Sequence, residues 1–178
     1  RKERGKGRER KGQGEKEEEV VKAPLSTPVR TFHGDVSRNP HFRSLSQLYM
    51  FRSVPPSALA ELWQLGKFTA IKEGQVVLKQ GDEANAALLL LQGELEAVVG
   101  SGPKEKAVGK IRPGELVGET AIFAKGGKRS ANVRAVKPSN CLLIGPRVMS
   151  ASLDNPALVF LEIHMLATMA KRIRGTNQ

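Results

Sequence analysis

Residues 113–135 read PGELVGETAIFAKGGKRSANVRA. A tight Gly-Glu-x-x-Gly-Glu turn leads into a short apolar stretch, a double glycine and then Arg129-Ser130-Ala131. The segment suits an anion. Gly118 lets the backbone approach a ligand closely. Glu119–Phe123 fits a single helical turn whose free N–H groups face a phosphate. Arg129 adds a planar, permanently charged donor fork, and Ser130 a hydroxyl donor. Glu119, when ionised, is an acceptor and can take sugar hydroxyls. An anion site with a carboxylate beside it fits a sugar phosphate better than a bare phosphate.

Around this segment, short apolar runs alternate with glycine-containing turns. The strands read as Phe68–Ile71, Gln75–Lys79, Ala87–Leu91, Glu94–Val99, Ala107–Ile111, Glu115–Val117, Ala131–Val136 and Cys141–Ile144. Short strands at such regular spacing predict an antiparallel sandwich or barrel. Helical signals flank them. Pro40–Met50 fits a turn of helix, with Phe42, Leu45 and Leu48 three apart. Ser57–Leu65 reads as a helix with Pro56 near its start and Gly66 past its end. Asn155-Pro156 starts a long helix running to Arg174, with Leu158, Leu161, Met165, Met169 and Ile173 on one stripe. Lys171, Arg172 and Arg174 complement its dipole, and Gly175 is expected to close it. The expected fold is an eight-stranded antiparallel β-roll, a jelly roll, with an N-terminal helix and a long C-terminal helix.

Composition limits the alternatives. The chain has 178 residues, 29 Lys+Arg against 18 Asp+Glu, and a net charge of +11. Its lone cysteine, Cys141, excludes an internal disulfide framework and reads as an apolar filler in a strand. The longest apolar run, Ala86–Leu91, is far short of the ~20 residues of a membrane span. A basic N-terminus without an apolar core is no secretory signal, so a cytoplasmic location is expected. Residues 1–24 carry nine basic and six acidic side chains and no aromatic. With the Pro/Ser/Thr-rich stretch 25–39 they read as a disordered basic tail and linker, leaving residues 40–178 as the domain. Nucleic-acid contact is expected, if anywhere, through that tail.

The residues Gly114-Glu-Leu-Val-Gly-Glu119, followed after nine residues by Arg129-Ser130-Ala131, resemble the phosphate-binding cassette of the cyclic nucleotide-binding domain family, of the catabolite activator and protein kinase A regulatory-subunit type. Gly74, the Gly81-Asp82 turn and the Gly93-Glu94 turn fall where that family's roll turns fall. The resemblance covers roughly 45–178. It implies that Glu119 takes the ribose 2′-hydroxyl and that Gly118 and the Glu119–Thr120 backbone supply close-approach amides. Arg129 neutralises the cyclic phosphate, Ser130 donates beside it, and Ala131 adds an amide. Leu116, Val117 and Val133 line the pocket, and Thr176 on the long helix reaches the base. The same resemblance implies a homodimer through the 156–174 helix and an effector domain or protein that reads the signal.

The histidines, His33, His41 and His164, fall outside the strands and at no ligand spacing, so no metal site is expected. No nucleophile elbow or P-loop lysine motif is present, so no catalytic residues and no cofactor are expected. Three readings stand. In the first, the roll senses a cyclic nucleotide, cAMP ahead of cGMP, and moves its last helix. In the second, a degenerate roll binds no nucleotide and serves as an interaction module. In the third, the chain is the sensor part of a DNA-binding regulator.

Overall fold

The computed structural model describes residues 36–120, 126–150 and 155–176, the side chains of 147 and 172–176 excepted. A 3-10 turn, Val36–Arg38, opens this part. Helix α1, Pro40–Ser46, follows, capped by Asn39, whose side chain accepts from the His41 and Phe42 amides at 2.9 and 3.4 Å. That acceptor serves amides that a helix start leaves without partners. Helix α2, Pro56–Leu65, has proline in its first turn and ends at Gly66, whose N–H returns to the Leu62 carbonyl at 2.9 Å.

All eight strands read from the sequence are present. They are β1 (Lys67–Ile71), β2 (Val76–Leu78), β3 (Ala87–Gln92), β4 (Leu95–Val99), β5 (Lys106–Ile111), β6 (Leu116–Val117), β7 (Asn132–Ala135) and β8 (Ser139–Ile144). Two four-stranded antiparallel sheets result, ordered β1-β8-β3-β6 and β2-β7-β4-β5. Helix α3, Pro146–Ser150, follows the roll, and α4, Pro156–Thr176, is the last described element. α4 runs through Gly175 rather than ending there, within the one or two residues by which helix ends fray.

The layers are helices, sheet, sheet. The run Ala87-Leu-Leu-Leu-Leu91 is continuous because β3 is buried on both faces. Its odd-numbered residues pack with Leu116, Leu142 and Ile144 against Phe42, Leu45, Leu62, Leu158 and Leu161 of the helices. Leu88 and Leu90 face the other way, onto Ile71, Leu95, Val117, Val133 and Cys141 between the sheets. Burial pushes the Cys141 thiol up to about 12. Trp63 is half-buried at the edge of the helical layer, with its ring 6.0 Å from Phe42 and 5.7 Å from Phe68.

Part of the scattered positive charge is paired on the outer face of the second sheet. Arg134 of β7 donates to Glu96 at 2.6 Å and to Glu105 at 2.7 Å. Lys110 and Lys137 flank Glu94 at 3.2 and 3.5 Å. Among the described residues no helix is long and apolar enough to cross a membrane.

Candidate functional site

The site forms where β6 ends and β7 begins. The backbone of Arg129 is fixed before its side chain is considered. Its N–H donates to the Asp82 carbonyl and its carbonyl accepts from Gly81, both at 2.9 Å. The Ala84 N–H donates to the Gly127 carbonyl at 2.8 Å, and Glu83 bridges Lys128, so the 81–84 turn and the 127–129 approach form a short ladder.

The Arg129 side chain turns inward from that ladder and is 9% exposed. Its Nη2 donates to the Ala86 carbonyl at 2.6 Å and its Nη1 to the Gly118 carbonyl at 3.2 Å. Burial pushes the guanidinium below its ordinary value, while the nearby carboxylates of Asp82 and Glu119 push the other way. Arginine remains charged under any such shift. Gly118 has φ +77°, and a Cβ there would collide with Arg129 Nη1. The chain can turn here, with the guanidinium packed against it, only without a side chain.

Glu119 is 1% exposed, so an acidic and a basic side chain are both withdrawn from water here. They share a cavity of about 360 Å³ with Leu78, Val117, Gly118, Thr120, Ser130, Ala131, Val133 and Met169. That volume is within the range of small-molecule sites, roughly 300–1,000 Å³. A larger depression, about 410 Å³, lies in the helical layer between α1 and α2. It holds Arg43 and Arg52 and no carboxylate. The smaller cavity, with its opposed charges and the glycine turn, is the candidate site.

Of the ten residues expected at the site, the structure gathers Val117, Gly118, Glu119, Thr120, Arg129, Ser130, Ala131 and Val133 around this cavity. Leu116 is a correction. Alternation along β6 sends Val117 into the roll and Leu116 to the opposite face, where it is fully buried against the helical layer. The Thr176 side chain lies outside the described residues, as does most of the helical turn read over 119–123. Two lining residues were not foreseen. Leu78 is on β2, paired with Val133 of β7. Met169 belongs to the apolar stripe read along α4. The stripe divides, with Leu158, Leu161 and Met165 buried in the core and Met169 reaching the cavity. Its position one turn beyond Met165, near the end of the stripe, was the available signal.

The arrangement is suited to binding a polar ligand. It offers a buried guanidinium for an anion, a buried carboxylate for hydroxyls, two hydroxyl side chains, and apolar walls for a planar group.

Residues 68–155 match the family model described as the cyclic nucleotide-binding domain. The chain is 31% identical over 125 residues to a lysophospholipase nte1 of Aspergillus fumigatus, a match covering 68% of this chain and 8% of that protein. The chain thus spans less than a tenth of that curated relative's length. Among solved structures it is similar to the catabolite activator protein of Thermus thermophilus, with TM-score 0.60, 23% identity, and coverage of 72% of this chain and 59% of that one. It is also similar to a cAMP-binding acyltransferase from Mycobacterium smegmatis, with TM-score 0.56, 27% identity, and coverage of 66% and 37%. The regulatory domain of Toxoplasma gondii PKA, solved with cAMP, gives TM-score 0.53, 22% identity, and coverage of 66% and 45%.

Proposed function

Because residues 68–155 belong to the cyclic nucleotide-binding domain family, we propose that the cavity between Gly118 and Met169 receives a 3′,5′-cyclic nucleotide, cAMP in preference to cGMP. The observation that carries this reading is the pairing of Arg129 and Glu119, both buried, in one open cavity at the Gly118 turn. The phosphate sits on Arg129 and on the backbone amides that follow Gly118. The ribose hydroxyl donates to Glu119. The base lies against Leu78, Val133 and Met169, whose apolar surface favours a planar ring.

The domain then acts as a regulatory module, and its output is the position of α4. Met169 ties that helix to the occupant of the cavity, so a filled and an empty cavity favour different helix positions. The solvent side of α4 exposes Val159, Phe160, Ile163 and Leu166 at 40–58%. Such a stripe on a long helix supports pairing with the same helix of a second copy.

Calorimetric titration with cAMP and with cGMP tests the reading, comparing the native chain with Arg129→Ala. Saturable heat from one nucleotide, weakened at least about 100-fold in the variant, is the expected result. No heat from either nucleotide at millimolar concentration overturns it.

A further inference from the structure

Helix α4 is pinned at one end. Asn155, immediately before its first residue, is only 3% exposed and makes three side-chain hydrogen bonds. Its Oδ1 accepts the Ala157 amide at 2.8 Å, which caps the helix. Its Nδ2 donates across to α2, to the Ala58 carbonyl at 3.2 Å and to Glu61 Oε2 at 2.7 Å. Capping alone needs an acceptor, which Ser, Thr or Asp supplies equally well. The two bonds to α2 need a donor, and of the good capping side chains only asparagine brings an amide N–H₂. An aspartate would set a carboxylate against the Glu61 carboxylate and the Ala58 carbonyl. Around this point Ala58, Leu59 and Leu62 of α2 pack with Ala157, Leu158 and Leu161 of α4 in one core.

At the other end α4 delivers Met169 to the cavity. Fourteen residues of helix, about 21 Å, separate the two positions. A tilt of about 10° around the pinned end would carry Met169 by about 4 Å while leaving Asn155 in place. We infer that Asn155 and Glu61 are positioning residues that lock the start of α4 to α2, making Asn155 the pivot about which the Met169 end of the helix answers ligand in the cavity. The inference rests on the nucleotide reading for its ligand. The lock itself is independent of it. Neither residue touches the cavity, and their effect on binding passes through Met169.

Hydrogen–deuterium exchange on the full chain, with and without millimolar cAMP or cGMP, tests this. The variants are Asn155→Asp, which keeps the cap and loses the donors, Glu61→Ala, and Glu61→Gln, which keeps an acceptor oxygen. Glu61 is exposed, so its variants leave the core intact. Without ligand, exchange over 158–165 should rise about tenfold in Asn155→Asp and Glu61→Ala and stay near native in Glu61→Gln. Native exchange in Glu61→Ala overturns the lock, as does a rise confined to Asn155→Asp, which would leave only the cap. With nucleotide bound to the native chain, protection should change around Met169 and not over 158–165. An equal change along the whole helix overturns the pivot. If the native chain takes up neither nucleotide, the sensing reading fails, and the ligand-free comparison still decides the lock.

Discussion

Arg129 and Gly118 interlock. The guanidinium donates to the Gly118 carbonyl at 3.2 Å, and the space a Cβ would need at 118 is already filled by Nη1. Gly118→Ala therefore has two faults, a left-handed backbone at φ +77° and a displaced guanidinium. A loss of about 1–3 kcal/mol is expected in urea unfolding, with cyclic nucleotide binding weakened at least about tenfold. Native stability and affinity in this variant would refute the interlock.

Arg129→Lys separates charge from geometry. Lysine keeps the positive charge but lacks the fork that reaches Ala86 and Gly118 together. Binding should fall about 10–100-fold, short of the loss in Arg129→Ala. Equal affinity for Arg129→Lys and the native chain in calorimetry would show that only charge matters.

Met165 and Met169 stand one turn apart on α4 and should respond oppositely. Met165 is fully buried, so Met165→Ala should cost about 2–4 kcal/mol of stability. Met169 is half-buried at the cavity, so Met169→Ala should cost under about 1 kcal/mol and weaken nucleotide binding about three- to tenfold. Denaturation and titration of the two variants check this. A large stability loss in Met169→Ala would return it to the core.

His164 gives α4 a pH response. Burial holds its pKa below the ordinary histidine value; Lys171 on the same helix acts in that direction too, and the Gly114 backbone and Glu115 from the facing turn oppose it. The neutral ring is the form favoured in the fold. The unfolded chain therefore binds more protons, and stability rises with pH through this window. The contribution is complete above the unfolded value near 6.5 and shrinks as pH falls below it. Thermal melts from pH 8 to pH 5 should show a drop on the acid side that His164→Gln reduces. An identical pH profile in His164→Gln would contradict it.

Ile163 and Leu166 are 58% and 57% exposed on the outer side of α4. Ile163→Glu together with Leu166→Glu should leave the fold intact and convert a dimer to a monomer in sedimentation velocity. A native chain that sediments as a monomer at high micromolar concentration would remove the pairing reading.

The roll was legible in the sequence because its strands are short, regularly punctuated and apolar in register with their turns. All eight strands of the roll are found within a residue or two of where they were read. That Gly118, Glu119 and Arg129 meet at one cavity was legible because a turn glycine and two charged residues stand at a distinctive spacing. What escaped is what the third dimension assigns. Leu116 and Val117 are adjacent and equally apolar, and only the direction of the β6 pleat sends one into the core under the helices and the other into the cavity. Met169 shares its periodicity with the core residues Leu158, Leu161 and Met165, and only the fold shows that it lines the cavity instead. Asn155 was readable as a helix start, but its two bonds to α2 span more than ninety residues and leave no local pattern.

Cys141 has a practical consequence. It is the chain's single cysteine, fully buried between the sheets, with its thiol held near 12 and so protonated at neutral pH. The native sequence is thus already a silent background for thiol chemistry. A cysteine introduced on α2 and another on the outer face of α4 would be the reactive pair, and spin labels or fluorophores could be placed there without first removing a native thiol. The distance between them would report whether the helix moves when nucleotide is added, in a protein otherwise left as it is.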